Sequence, residues 1–421
     1  MTLPGGRLPP LLITCLLALP ALAQQDLPLT LAEAEDLALD QEPGREALLQ
    51  DALALAEEAV AAGQLPDPLL RIGLGNYPIQ SGSFSTEGMT QAQLGYRQSF
   101  PSGDSRAFST RKFESLSREM SESADARQRD VLIDVRRAWF DAYYWQHART
   151  MVEEKRPFFA DLVEITRSWY AVGSKTQQDV LRAELELARI DDRLIEIDKH
   201  YGEAVAALAE WTGHAAMRPI ATRLPDWRIA PSLEELRQNL DSHPALLAAE
   251  ARVSAQEAEV GVAQENTKPG WSIDIGYGYR EGKLSNGDPR SDFISVAVTT
   301  ELPFFRKNRQ DRALAAALRG RSAAEYRKEQ LRRRLLRELD AAYTRWHDLD
   351  RRAALYESSM LSLSADHARA ALLAYRSDAG DFADVMRGYI DELNVRLEHL
   401  RLQIERVQTY AVLANLGGLS R

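Results

Sequence analysis

The chain has 421 residues, 45% hydrophobic and 27% charged, which supplies apolar material for more than one core and excludes a disordered tail or linker. Its 52 Lys+Arg against 62 Asp+Glu give a net charge of -10, and the short Arg332-Arg333-Arg334 run is too small for a nucleic-acid surface, so no nucleic-acid partner is expected. The single cysteine, Cys15, leaves no disulfide framework and no Cys-based metal site.

Residues 1–23 read as a secretory signal: Arg7, the apolar stretch from Leu11 to Leu19, then Ala21-Leu22-Ala23 ahead of Gln24. Cys15 lies inside the apolar stretch, whereas a lipoprotein cysteine would end it, so lipidation is not expected. Beyond Gln24 no window of about 18 apolar residues occurs, and no transmembrane helix is expected. Entry into a membrane would then require a β-barrel.

A first repeat, residues 24–213, is followed by a connector at 214–232 and a second repeat at 233–421. Leu31 to Pro43 resembles Leu233 to Pro244, Pro68 to Tyr77 resembles Pro269 to Gly278, Tyr170 to Val180 matches Tyr375 to Val385, and Leu208 to Gly213 matches Leu413 to Gly418. Each half reads helix, two strands, long helix, turn, helix. Pro219, Pro225 and Pro231 break helix in the connector.

In the first repeat the strands are expected near 69–78 and 89–100, and a helical hairpin over about 106–213. In the second, strands are expected near 271–281 and 292–302, and a hairpin over about 306–416. Only Pro157 falls between Pro101 and Pro219, and no proline follows Pro303. A strict 3-4 spacing runs through Leu335, Leu339, Ala342, Trp346, Leu349, Ala353, Tyr356, Met360, Leu363, His367, Ala370 and Ala374, which predicts one unbroken coiled-coil seam. In the first half the seam through Val131, Val135, Ala138, Ala142, Trp145, Val152, Phe159, Val163 and Tyr170 is interrupted by Arg149, Arg156 and Thr166. The hairpin tips fall at Ala171 to Thr176 and at Arg376 to Asp381.

Between the helices the period changes to two. Leu70, Ile72 and Leu74 oppose Arg71, Gly73 and Gly75; Ala92, Leu94 and Tyr96 oppose Gln93 and Arg97; Ile273, Ile275 and Tyr277 oppose Asp274, Gly276 and Gly278; Ile294, Val296 and Val298 oppose a mostly polar face. Each stretch runs about ten residues, the length of a tilted membrane strand with an apolar outside and a polar lumen. A soluble hairpin domain has the same alternation; the signal segment and the coiled-coil hairpins favour the membrane. Four strands cannot close a barrel, since small barrels begin at about eight, so copies must pool them, as eight in a dimer or twelve in a trimer.

The duplicated plan, with Tyr170-Ala171-Val172-Gly173 followed by Asp179-Val180-Leu181, resembles the TolC-type outer membrane efflux factors. Leu65-Pro66-Asp67-Pro68, Asn76-Tyr77-Pro78 and Leu302-Pro303-Phe304-Phe305 with Asn308-Arg309 are most similar to the heavy-metal, CusC- and CzcC-like branch. The resemblance implies a mainly α fold with a small β part: a homotrimeric α-helical barrel spanning the periplasm and a twelve-stranded barrel in outer membrane lipid, four strands per chain. It further implies a passive conduit for efflux or type I secretion, with a periplasmic adaptor and an inner-membrane transporter of RND or ABC type, and, for the heavy-metal branch, metal-cation cargo.

Carried over by position, Asp384 and its counterpart Asp179 match aperture carboxylates of the periplasmic pore. Arg387 and Arg182 stand where the family pattern has further acid; one turn from Asp384, Arg387 either pairs with it or leaves it as a ring charge. Tyr170, Gly173, Ser174, Tyr375, Ser377 and Gly380 resemble tip residues that meet the adaptor, with Lys175 and Asp381 beside them. Asp378 matches Gly173 in position while the glycine is shifted to Gly380, which predicts differently shaped tips. No Gly-x-Ser-x-Gly, His-Glu-x-x-His or P-loop occurs, and no histidine pairs at i, i+4 with another, so no enzyme, cofactor or resident metal is expected. The other reading is a non-conducting periplasmic coiled-coil adaptor or scaffold.

Overall fold

The computed structural model describes residues 27–40, 42–227 and 230–418; the signal segment at 1–23 lies outside the described residues. Long proline-poor stretches become long helices. α1 (Leu31–Asp40) and α2 (Pro43–Ala62) precede strands β1 (Leu69–Gly75) and β2 (Gln91–Phe100), followed by α3 (Ser105–Ala171) and α4 (Gln177–Thr212). The second half repeats the order with α5 (Leu233–Leu240), α6 (Pro244–Glu265), β3 (Trp271–Tyr279), β4 (Phe293–Thr300), α7 (Gln310–Leu355), α8 (Leu361–Arg376) and α9 (Phe382–Gly417). At 1.5 Å per residue the 67 residues of α3 extend about 100 Å. Pro157 sits on the exposed face of α3, where solvent can take the carbonyl it leaves without a donor.

The four strands form one antiparallel sheet in the order β1-β2-β3-β4. β2 pairs with β3 from Ala92↔Tyr279 to Phe100↔Trp271, so the two halves of the chain share a single sheet, and the Phe100 and Trp271 rings stack at 4.1 Å. The register aligns whole rows. Leu70, Tyr96, Ile275 and Val296 lie side by side on one face, and Ile72, Leu94, Tyr277 and Ile294 form the next row. These residues stay exposed; Ile72 is 78% and Ile294 77% accessible. Asn76, at φ 51, turns the chain out of β1.

Three cores hold the helices together. At the equator, Trp139, Phe140, Val135, Leu208 and Ile404 pack with Leu29 and Ile220, which form a parallel bridge between the start of the described chain and the connector. Leu29 N–H donates to Pro219 O at 2.8 Å, Trp139 Nε1 donates to Leu29 O at 3.0 Å, and Gln146 exchanges two hydrogen bonds with the backbone of Ile220. Trp227 of the connector closes this core against Phe140 and Tyr410. A second core unites the two hairpins towards their tips through Phe159, Leu162, Ile190, Phe382, Met386 and Leu393, and a third packs Leu236 and Leu240 against Leu339, Trp346 and Leu413.

Two details depart from the simple heptad reading. Arg149 and Arg156, read as interruptions of the α3 seam, reach across to Asp198 at 2.9 Å and Asp191 at 2.6 Å on α4, and Thr166 is buried with its hydroxyl donating back to Leu162 O and Val163 O. The polar residues thus tie the hairpin instead of breaking it. In the second half the unbroken seam is corrected. A π turn at Tyr356–Met360 inserts a residue between α7 and α8. Buried positions therefore move from Leu349 and Ala353 to Ala368 and Tyr375, while Leu363, His367 and Ala370 face outward.

Trp139 carries both packing and a hydrogen bond at the equator. Trp139→Ala is expected to cost about 3–5 kcal/mol, read as a lowered unfolding midpoint of the purified protein.

Candidate functional site: the hairpin tips

The end of α3 is set by a residue that can leave the right-handed helix. Gly173 takes φ 71, Gly173 N–H donates to Tyr170 O at 3.0 Å, and Ser174 N–H donates to Trp169 O at 2.9 Å. The end of α8 repeats this closure. Asp378 takes φ 59, Asp378 N–H donates to Tyr375 O at 3.2 Å, and Ala379 N–H donates to Ala374 O at 2.9 Å. The expected difference in tip shape is therefore not found in the backbone: Asp378, not Gly380, occupies the left-handed position. Gly380 serves a close approach, since a Cβ there would stand 3.0 Å from Ala374 Cβ.

The returning helices start on caps. Thr176 Oγ1 accepts from Asp179 N–H at 3.3 Å while the Asp179 carboxylate accepts from Thr176 N–H at 3.1 Å, a closed capping box at the start of α4. Asp381 caps α9 by accepting from Ala383 N–H at 3.3 Å. Asp384 occupies the first turn as Asp179 does, but its carboxylate accepts from Arg387 Nη1 at 3.2 Å. Of the two alternatives for Arg387, pairing is the one observed. Arg182 is half-buried one turn beyond Asp179 and makes no ion pair within 4.0 Å among the described residues.

The two tips are joined by a contact between residues far apart in the chain. Lys175 Nζ donates to Asp378 Oδ1 at 2.7 Å, and the same ammonium lies 4.7 Å from the centre of the Tyr375 ring. Tyr375 is only 3% accessible, wedged between Trp169 and Phe382 at 5.2 and 5.4 Å. It was expected as an exposed contact residue; the π turn has rotated it into the core. Its hydroxyl has no hydrogen-bond partner among the described residues. Tyr170, Gly173 and Ser174 are exposed, as is Val172, an apolar tip residue that the motif comparison passed over. Ser377 donates its hydroxyl to Leu373 O and Ala374 O and so finishes α8. The structure brings Lys175, Tyr375, Asp378, Asp179 and Asp381 together and leaves the Asp384–Arg387 pair on the flank. No local signal marks Lys175 as a partner of Asp378.

Residues 236–419 match the family model described as outer membrane efflux protein. Protein CyaE of Bordetella pertussis is 26% identical over 324 residues, a match covering 72% of this chain and 65% of CyaE. The outer membrane protein VceC of Vibrio cholerae superposes with a TM-score of 0.77 at 18% identity, covering 92% of this chain and 96% of VceC. CusC superposes with a TM-score of 0.78 at 16% identity, covering 92% of this chain and 91% of CusC. The second half of the chain thus carries the outer membrane efflux protein domain, and the described fold is like that of these channels. The matched domain is that of outer membrane efflux proteins, which agrees with the outer-membrane location expected from the sequence.

The clamp has a charge dependence whose signs follow from its groups. The Lys175 hydrogen bond and charge hold the Asp378 carboxyl below its ordinary value, so this contribution is present above the unfolded carboxylate pKa of about 3.9 and is lost as pH falls through the lower folded value. Burial first, and then the charges of Asp179, Asp381 and Asp378, push the Tyr375 phenol up to about 12. The neutral phenol is favoured by folding; its contribution is whole below about pH 10 and lost as pH rises towards the folded value. In a spectrophotometric titration, subtracting the Tyr375→Phe curve is expected to reveal one late-ionising tyrosine; a difference curve centred at the ordinary phenol value contradicts the burial argument.

Lys175→Met removes the ion pair and the ring contact together. Nitroxides on Ser174→Cys and Ala379→Cys are expected to report one short intrachain distance in the native protein and a longer, broader one with Lys175→Met. Asp378→Asn, which keeps the ring contact, is expected to fall between them.

Proposed function

We propose that three copies of this chain form a passive conduit across the periplasm and outer membrane. The observation that carries the reading is the sheet: an exposed apolar face runs continuously across all four strands, while β1 and β4 each have one edge without a strand partner among the described residues. In hydrocarbon an unpaired backbone edge costs several kcal/mol per group, so the edges must meet those of other copies. Three sheets closing edge to edge give twelve strands. The hairpins continue the tube, because α3 and its partners extend far beyond what the sheet needs for support.

In this arrangement the tips come together around the threefold axis. Tyr170, Val172, Gly173 and Ser174 are exposed where an adaptor would dock, and an inner-membrane transporter of RND or ABC type would supply the energy. On this reading the Asp384 flank of each tip turns towards the axis, with the charge of Asp384 matched by Arg387. Release of three carboxylates should therefore matter more than their removal: Arg387→Ala is expected to increase block by divalent cations in planar bilayers, and Asp384→Ala to abolish that increase. Unchanged block in both variants removes the pair from the aperture.

The assembly itself has a direct test. The protein is expected in the outer-membrane fraction as a heat-modifiable, SDS-resistant trimer with measurable single-channel conductance. Recovery as a soluble periplasmic monomer would instead support a non-conducting adaptor or scaffold.

A further inference from the structure

The polar face of the sheet carries three charged side chains within its strands: Arg71, Arg97 and Asp274. Two of them cancel. Arg97 Nε donates to Asp274 Oδ1 at 2.5 Å, and Thr299 Oγ1 donates to the other carboxylate oxygen at 3.3 Å. Arg71 is exposed on this face and forms no ion pair or side-chain hydrogen bond among the described residues. It lines the same concavity as Gln93, Arg97 and Asp274.

The register isolates Arg71 further. Its row continues through Gly95, Gly276 and Ser295, so no other long side chain stands at that level across the four strands. A Cβ at Gly95 would meet Arg71 Cβ at 3.6 Å, an ordinary contact, so the absence of a long side chain there and not a steric need for glycine leaves Arg71 without a neighbour across the row. A guanidinium is always charged and offers a planar set of donors suited to carboxylate, sulfonate and phosphate groups. At the mouth, by contrast, Arg280 and Arg290 are engaged with the carbonyl oxygens of Ser291, Gly88, Ser85 and Glu87.

We infer that Arg71, unpaired in a row of glycine and serine on the lumen face, sets the charge selectivity of the barrel and makes it favour anionic solutes. This rests on the trimeric conduit proposed above: closure repeats Arg71 three times at one level, and low-dielectric walls focus the positive potential of the ring. The cargo class that fits is an organic anion carrying carboxylate, sulfonate or phosphate. A free metal cation meets no compensating carboxylate at this level, because Asp274 is committed to Arg97.

The test is the reversal potential of the full-length trimer in planar bilayers under a potassium chloride gradient, in the native chain and in the Lys175→Met background, where loosened tips leave the barrel limiting. Chloride is expected to permeate better than potassium. Arg71→Gln is expected to reduce the permeability ratio by about twofold or more, Arg71→Glu to reverse its sign, and Arg71→Lys to preserve it. Asp274→Asn, which frees Arg97, is expected to strengthen the anion preference. Heat-modifiable trimers on gels establish that each variant has assembled. Cation selectivity of the native trimer, or a reversal potential unmoved by Arg71→Gln, overturns the inference and leaves the conduit standing. Absence of any conductance from assembled trimers overturns the conduit and the inference with it.

Discussion

The controlling constraint is the backbone of four strands whose apolar face is turned outward. A sheet that packed this face on its own core would satisfy a soluble protein, yet among the described residues no helix covers it, and Leu70, Ile72, Ile294 and Val296 remain exposed. Lipid accepts such side chains but offers nothing to the N–H and C=O groups of the edges. The pairing of β2 with β3 removes one pair of edges by joining the two repeats, and leaves β1 and β4 as the outer strands of the sheet. In the conduit proposed above, assembly follows from hydrogen bonding at these edges.

The helical part must bring distant points of the chain into register without a single large core. It does so with three small cores along its length and with ion pairs between them. Arg149, Arg156 and Lys155 on α3 reach Asp198, Asp191 and Glu392 on neighbouring helices, while the equator is locked by main-chain hydrogen bonds around Leu29 and Ile220. At the tips the two repeats converge on one backbone solution with different residues: glycine at 173 and aspartate at 378 take the same left-handed conformation. The aspartate costs more conformationally, and it gives Lys175 a partner that glycine would not.

Local rules made much of this legible. Proline distribution and the 3-4 spacing marked the long helices, the alternation of Ile273, Ile275 and Tyr277 with Asp274, Gly276 and Gly278 marked a strand with two unlike faces, and the duplicated motifs led to the family. The capping roles of Asp179 and Asp381 are also local, since a side chain three residues from a helix start has little choice of partner. The π turn left no comparable mark. The heptad spacing runs through Tyr356 to Met360 unbroken, and only the packing of α8 on α9 rotates Ala368 and Tyr375 inward and Leu363 and His367 outward.

Sequence by itself determined the element types, the repeat and the two chemically opposed faces of the strands, because these depend on neighbours within a few residues. Tertiary structure alone decided which charges survive. Lys175 and Asp378 are 203 positions apart and Arg97 and Asp274 are 177 apart, and no periodicity connects such pairs. Only register and helix packing bring them within hydrogen-bonding distance, and among the described residues they leave Arg71 unpaired on the polar face of the sheet.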